Sequence, residues 1–326
     1  MSATLMQIES VHAVLVAGRD TGLLQRLAAA PATSVNLARE LGLDAVATER
    51  ALEVLHAWGM VEREGGVFRC TSWFANELRG PEGLAGAGRI WAAMPNYLRT
   101  GSTLMGEGTA NRDRAYPEVV PRLAAMFDQA ARAFAVEVAA RLPRGAVILD
   151  VGAGSAPWSL AVLDVRPDVT LRLLDLPQVC EATRAAATAR GHGSRVDILA
   201  GDYMSAPLPV ETLDLVIAAN VLHLEGEERA AALVARLAPT LRAGGWLAVV
   251  DALAGDDEAG RRAHAAYALH LALRLPGGYP HLPATLARWM TAAGLIPREP
   301  TVLSRETMVL GVVWGQRPRD LYLGGD

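Results

Sequence analysis

The stretch VILDVGAGSAPW, residues 147–158, decides the fold of this chain. A short, mainly apolar strand runs directly into a Gly-x-Gly turn and then into the start of a helix. Gly152 and Gly154 let the backbone approach a ligand closely, and the helix N-terminus offers N–H groups to an anionic part of that ligand. The order strand, glycine turn, helix therefore predicts a ligand site at the carboxyl end of a strand in an α/β fold.

Strands and helices alternate after residue 146, and this alternation predicts a Rossmann-like parallel sheet with helices on both faces. A final pair of strands, 301–304 and 307–314, lacks an intervening helix and is predicted to form an antiparallel hairpin. The other predicted strands are Val147–Val151, Thr170–Asp175, Val196–Leu199, Leu213–Ala219 and Trp246–Asp251.

The first hundred residues are predicted to be mainly helical. A capped helix at residues 34–42, a second helix at 47–58 and two short strands around Gly65-Gly66 follow one another in the order of a winged helix. Between Ser34 and Glu64 six acids face three arginines, and DNA phosphates would repel such a surface. We therefore predict that residues 1–100 form a dimerisation domain. Residues 101–142 would be connecting helices beside a pocket, and residues 143–326 the ligand-binding α/β domain.

Composition excludes several classes of protein. The chain has a net charge of -4, which argues against a nucleic-acid partner, and it contains no lysine, which excludes Schiff-base and pyridoxal phosphate chemistry. No apolar run is long enough to predict a membrane span, and no signal peptide is predicted. Two cysteines and no metal-ligand spacing predict a cytoplasmic protein without a metal centre.

Acidic residues accompany three successive strands of the predicted sheet. Asp150 is the next-to-last residue of the first strand, Asp175 ends the second and Asp202 follows the third, so all three should lie at one edge of the sheet. Asp175 would lie near a ribose diol, and Asp202 could accept from an adenine amine while Tyr203 or Met204 covers the ring. A nicotinamide site would need a third glycine near residue 157 and would place the Asp150 carboxylate against a pyrophosphate, so a dehydrogenase is the weakest alternative.

Five motifs occur in the order DVGAG at 150–154, DLP at 175–177, GDY at 201–203, NVLH at 220–223 and LRAGGW at 241–246. In this order the chain resembles the plant-type and bacterial small-molecule O-methyltransferases, which use S-adenosylmethionine. The resemblance implies a class I methyltransferase fold, a homodimer, and a small, partly apolar acceptor in secondary metabolism. It also implies S-adenosylhomocysteine as a product, and a cofactor site made of Asp150, Gly152, Ala153, Gly154, Asp175, Leu176, Gly201, Asp202, Tyr203 and Asn220.

The resemblance also implies that His223 removes the proton from the acceptor hydroxyl, a task that suits an imidazole at neutral pH. Asp251, at the end of the fifth strand, could orient it. Leu224-Glu225 stands where the family usually has Asp-Trp, and the family's other supporting acid is missing near Pro280. These departures leave carbon or nitrogen methylation open, as well as a cofactor-binding scaffold used for cyclisation or decarboxylation. A ligand-sensing DNA-binding regulator is a further alternative.

The acceptor pocket is predicted to draw on two parts of the chain. The helix predicted at 263–274 places three polar or aromatic side chains on one face by their spacing of three and four residues. Those residues are Tyr267, His270 and Arg274, and the earlier helical part would add Trp91, Tyr97, Met126 and Phe127.

Overall fold

A computed structural model describes residues 3–79, 90–106, 126–255, 257–305 and 308–319. Much of the predicted connecting segment, residues 107–125, and Thr307 of the predicted hairpin lie outside the described residues. The chain divides into two compact units, Met1–Arg99 and Thr100–Asp326.

The N-terminal unit is mainly helical and carries a small antiparallel sheet in the order β1-β3-β2. The Thr33 hydroxyl accepts from the Asn36 N–H and the Asp44 carboxylate accepts from the Ala47 N–H, so each begins a helix as a side-chain cap. A buried leucine and phenylalanine cluster joins these helices to the sheet. The helices are Ala3–Asp20, Leu23–Ala29, Ser34–Leu41, Ala45–Ala57, Ser72–Arg79 and Met94–Thr100, and the strands are β1 Ala32–Thr33, β2 Val61–Glu64 and β3 Val67–Cys70.

The second unit is built on a seven-stranded sheet in the order β6-β5-β4-β7-β8-β10-β9. Its strands are β4 Val147–Val151, β5 Thr170–Asp175, β6 Val196–Ala200, β7 Leu213–Ala219, β8 Leu241–Ala252, β9 Ile296–Ser304 and β10 Leu310–Gln316. Its helices are 126–139, Pro157–Val165, Cys180–Ala189, Glu227–Leu237, Glu258–Arg274 and Pro283–Ala292, with short 3-10 turns at Leu222–Leu224 and Ala238–Thr240.

Strands β4 to β8 are parallel, and β10 runs antiparallel between β8 and β9. Two apolar clusters cover the two faces of the sheet, which explains why every residue of β7 is buried. Strand β4 pairs with β5 on one side and β7 on the other, so the strand order reverses at β4. The glycine turn that follows β4 therefore lies at the switch point of the sheet, where α/β proteins bind their ligands.

The predicted α/β fold and the closing hairpin are confirmed, and several strand boundaries are corrected. Strand β6 ends at Ala200 rather than Leu199, and the last strand, β10, is Leu310–Gln316 rather than 307–314. Strand β8 begins at Leu241 rather than Trp246, because a left-handed Gly244 bends the chain without ending the ladder. Strand β9 begins at Ile296 rather than Thr301, and Pro297 and Pro300 concealed its first half. Because β9 is the edge strand, prolines without an N–H can be accommodated there. Among the described helices none is long and apolar enough to cross a membrane.

Candidate functional site

The turn after β4 brings the backbone into a conformation that requires glycine. Gly152 has φ +64° and Gly154 has φ +57°, both in the left-handed region. A Cβ atom at Gly152 would lie 2.7 Å from Cγ2 of Val221 and 3.7 Å from two ring carbons of Tyr203. The turn is tied to β5, since the N–H groups of Gly152 and Ala153 both donate to the Leu174 carbonyl. Three loops therefore converge at this point, and they follow β4, β6 and β7.

Asp175 and Asp150 lie directly behind the glycine turn. The Asp175 carboxylate is buried and accepts from the N–H of Gly154 at 2.6 Å and from the N–H of Leu176 at 2.7 Å. The Asp150 carboxylate accepts from the Ser159 hydroxyl at 2.5 Å. Burial raises the pKa of Asp150 to about 7, an effect that the Ser159 hydrogen bond opposes and the nearby Asp175 charge reinforces.

The loop after β6 supplies the third part of the predicted ligand site. The Gly201 N–H donates to the Asp175 carbonyl at 2.8 Å, which fixes the loop against the end of β5. The exposed Asp202 carboxylate accepts from the N–H of Met204, while the Tyr203 side chain is buried against Gly152. Asp150, the glycine turn, Asp175 and Tyr203 are thus gathered as the sequence predicts.

Asn220 ends β7 in a strained conformation. Its φ is +56°, and its N–H donates to the carbonyl of Val250 in β8 at 2.8 Å. A non-glycine residue in the left-handed region costs free energy, and such residues concentrate at functional sites. The strain turns the chain so that Val221 lies over Gly152 and His223 follows in a 3-10 turn.

His223 and Asp251 form a buried pair at the ends of β7 and β8. Nδ1 of His223 lies 2.8 Å from Oδ1 of Asp251, and the side chains are 6% and 3% exposed. The same carboxylate oxygen accepts from the Ala252 N–H at 2.7 Å, which fixes its orientation. A carboxylate at Nδ1 selects the tautomer that carries its proton on Nδ1 and leaves a lone pair on Nε2. Such an imidazole is arranged to accept a proton at Nε2.

The segment Tyr279-Pro280-His281 holds the 3-10 turn that carries His223. The Tyr279 N–H donates to the His223 carbonyl at 3.0 Å. Nε2 of His281 lies 3.1 Å from the Leu222 carbonyl oxygen and 3.3 Å from the Glu225 carbonyl oxygen. Where the family's acid is missing near Pro280, this chain has residues that bind the backbone of the turn.

Helix Glu258–Arg274 brings Tyr267 to His223. The rings of His223 and Tyr267 meet edge to face with centroids 5.8 Å apart. One turn earlier His264 is more than nine-tenths buried, and its ring meets Tyr279 edge to face at 6.2 Å. Within the described part of the chain, Nε2 of His264 has no hydrogen-bond partner.

The remaining predicted acceptor residues are spread over the chain. His270 and Arg274 are half-buried on helix Glu258–Arg274. Phe127 belongs to the core of the second unit, where its ring lies 5.5 Å from that of Trp158, while Met126 is exposed. Trp91 is exposed and Tyr97 half-buried in the N-terminal unit. Their role in an acceptor pocket stays a prediction.

Four residues of the site were missed by sequence reasoning. His264 shares the helical spacing that singled out Tyr267, and that spacing could have identified it. Ser155 follows the second glycine of the turn; it is buried and its hydroxyl has no partner among the described residues. Glu225 stood out only as a departure from the family, and His281 carried no signal; the partners of both are distant in sequence.

The residues at the glycine turn fit a ligand with polar groups. A buried hydroxyl without a described partner at Ser155 is costly unless something binds it, and a side chain at Gly152 would fill the space beside Tyr203. The carboxylates of Asp175 and Asp202 suit hydroxyl and amine donors of a nucleoside. No group of three or more His, Cys, Asp or Glu residues in the described ranges could hold a metal ion.

Comparison with known proteins gives consistent results. The sequence profile of the O-methyltransferase domain matches residues 125–295, more than half of the chain. The chain is 27% identical to 3-hydroxy-5-methyl-1-naphthoate 3-O-methyltransferase of Streptomyces sahachiroi over 76% of this chain and 75% of that protein. It is 25% identical to the tetracenomycin polyketide synthesis 8-O-methyl transferase TcmO of Streptomyces glaucescens over 91% of each chain.

Solved structures share the fold of the chain. The structure of PigF with SAH superimposes with a TM-score of 0.70 at 18% sequence identity, covering 96% of this chain and 97% of that one.

Proposed function

The chain belongs to the O-methyltransferase family and is an S-adenosylmethionine-dependent methyltransferase, and from this premise we propose that it methylates a ring hydroxyl of a small aromatic acceptor with His223 as the base. The observation that carries the proposal is the 2.8 Å contact between Nδ1 of His223 and the buried Asp251 carboxylate. It leaves Nε2 of a neutral imidazole to take the proton of the acceptor hydroxyl.

The edge of the sheet where β4, β5 and β6 end is the proposed cofactor site. Gly152, Ala153 and Gly154 would flank the methionine part, Asp175 and Leu176 the ribose, and Gly201, Asp202 and Tyr203 the adenine. Asp150 and Asn220 would shape the site from behind and from the end of β7. The convergence of Gly152, Val221 and Tyr203 within contact distance supports this assignment.

S-adenosylmethionine, when bound, supplies a methyl group on a positively charged sulfonium, which the acceptor oxygen takes up as S-adenosylhomocysteine is released. The protein's own part is to align the acceptor and to remove its proton. His223 takes that proton at Nε2, and Asp251 stabilises the imidazolium that results. Because both side chains are buried, their attraction is screened less than it would be in water.

The acceptor proposed is a fused aromatic ring carrying a hydroxyl group. Tyr267 lies against His223, and Tyr279 lies against His264, one turn before Tyr267 on the same helix. Aromatic rings bind such side chains by edge and face contacts, and Nε2 of His264 could bond a second polar group of the acceptor. The naphthoate and polyketide acceptors in the names of the two relatives agree with this class.

Methyl transfer to hydroxynaphthoates, with a labelled methyl donor, tests the proposal. We expect an O-methylated product and one S-adenosylhomocysteine per product. Labelled methyl on a carbon or nitrogen atom would show carbon or nitrogen methylation instead. Turnover of an acceptor without release of S-adenosylhomocysteine would favour a cofactor-binding scaffold that catalyses cyclisation or decarboxylation.

We propose that the N-terminal unit is a winged helix that forms a homodimer rather than binding DNA. Its first helix, Ala3–Asp20, exposes Leu5, Met6 and Ile8, each about half accessible, which is costly for a surface without a partner. The acidic residues of this unit argue against DNA binding, because they would repel the phosphates of the DNA backbone. Light scattering on the purified chain and a duplex-binding assay at low salt test the two statements separately.

A further inference from the structure

Glu225 is a buried acid that lies two residues after His223, and the proposed reaction gives it no part. Its side chain is only 2% exposed, and a buried carboxylate is costly unless it is hydrogen-bonded. Oε1 accepts from the Tyr203 hydroxyl at 2.6 Å, and Oε2 accepts from Nε of Arg229 at 2.6 Å. Glu225 therefore links the loop after β6 to the turn that carries His223.

Tyr203 is the end of this link that faces the cofactor site. Two of its ring carbons lie 3.7 Å from the place where a Cβ of Gly152 would stand. Its backbone is held separately, since Nε of Arg236 donates to the Tyr203 carbonyl at 3.0 Å. With the main chain fixed in this way, the hydroxyl contact with Glu225 restrains the torsions of the ring. An ordered ring spares the entropy that binding would otherwise cost.

The carboxylate is in turn held by its surroundings. Nε2 of His281 lies 3.3 Å from the Glu225 carbonyl oxygen and 3.1 Å from the Leu222 carbonyl oxygen, so His281 fixes the backbone of the turn. Arg229, four residues after Glu225 and on helix Glu227–Leu237, supplies a positive charge to the second oxygen. Glu225 is thereby restrained both at its backbone and at its carboxylate.

We propose that Glu225 is a positioning residue of the cofactor site, whose carboxylate holds the Tyr203 ring beside Gly152 in the orientation that receives the adenosine. The inference rests on the proposed cofactor site. It gives a role to the departure from the family at Leu224-Glu225, because the acid at the second position replaces an aromatic side chain by a hydrogen-bonded tether.

The experiment compares Tyr203→Phe, Glu225→Gln, Glu225→Leu and the double variant Tyr203→Phe/Glu225→Leu with Glu228→Gln. Glu228 is an exposed acid on helix Glu227–Leu237, three residues after Glu225, and serves as the matched control. Calorimetric titration with S-adenosylhomocysteine gives the affinity, steady-state kinetics give KM for the methyl donor and kcat, and near-ultraviolet circular dichroism checks the fold.

Tyr203→Phe and Glu225→Leu should each weaken the binding of S-adenosylhomocysteine about tenfold, the effect of losing one hydrogen bond to a charged group. The double variant should bind no more weakly than the weaker single variant, because both changes remove the same contact. Glu225→Gln, whose amide oxygen still accepts from Tyr203, should restore most of the affinity, and KM should change more than kcat.

Full additivity of the two changes, unchanged affinity in both single variants, or a fall in kcat at constant KM would overturn the proposal. If Glu225→Leu fails to fold, Tyr203→Phe still decides, since it removes one oxygen atom and leaves the Glu225–Arg229 pair intact. Absence of S-adenosylhomocysteine binding to the unaltered chain would instead refute the proposed cofactor site itself.

Discussion

Replacing Asp150 by asparagine should remove a pH dependence of stability that the buried carboxyl creates. Burial raises the pKa of this group from 3.8 to about 7 in the folded protein, whereas the unfolded chain keeps a pKa of about 4. Between these values the folded protein holds a proton that the unfolded chain has lost. The stabilisation is therefore complete below pH 4 and is lost as the pH rises through 7.

The size of the effect follows from the same shift. Each pH unit in this interval changes the free energy of unfolding by about 1.4 kcal/mol, so Asp150 should make the protein about 3 kcal/mol more stable at pH 5 than at pH 8. Asp150→Asn keeps the size of the side chain and can still accept from the Ser159 hydroxyl. The difference in unfolding free energy between wild type and Asp150→Asn should therefore change by about 3 kcal/mol between pH 5 and pH 8.

Urea unfolding of both proteins at pH 5, 6, 7 and 8 measures this difference, and groups that titrate in both proteins cancel. Asp197→Asn is the control, because Asp197 lies on β6 of the same sheet with its side chain 62% exposed. A pH-independent difference between wild type and Asp150→Asn, or the same pH dependence for Asp197→Asn, would refute the reasoning from burial.

Four further changes test other parts of the site. Gly152→Ala should weaken S-adenosylhomocysteine binding more than about tenfold, because the alanine is strained at φ +64° and its methyl group would fill the space beside Val221 and Tyr203. Calorimetry measures this loss of affinity. Asp251→Asn should lower kcat by about a hundredfold or more with little change in that affinity, since the favoured tautomer of His223 is lost. His264→Leu should raise the free energy of unfolding of the ligand-free protein by about 1 kcal/mol in urea, and an unchanged or lower value would show that Nε2 has a partner. The double variant Met6→Glu/Ile8→Glu should be a monomer in light scattering, because it would bury charge in the proposed interface. A dimer that persists would show that the interface does not include this helix face.

The α/β fold could be predicted from the sequence because its signals are local. Strands β4, β5 and β7 were predicted with their observed bounds, since each is a short apolar run that ends in an acid, a glycine or an asparagine. The first half of β9 was missed because two prolines look like loop residues, and only the sheet order shows that this strand lies at an edge.

The candidate site likewise contains residues that the sequence predicts and residues that it does not. The glycine turn, Asp175 and the His223–Asp251 pair follow from strand ends, which a parallel sheet brings together whatever the side chains are. Glu225 and His281 do not, because their part depends on which distant group each meets in space. The hydrogen bond from Tyr203 to Glu225 joins residues 22 positions apart, and no spacing rule connects them.

The most direct test of the central claim compares His223→Ala with the unaltered protein in two assays on the same preparation. We expect calorimetry to give the same affinity for S-adenosylhomocysteine in both proteins, because the proposed role of His223 is toward the acceptor and not toward the cofactor. Transfer of labelled methyl to a hydroxynaphthoate oxygen should fall by about a hundredfold to ten-thousandfold in the variant, the range for loss of a general base. Unchanged transfer by His223→Ala would contradict the account and remove His223 from the reaction.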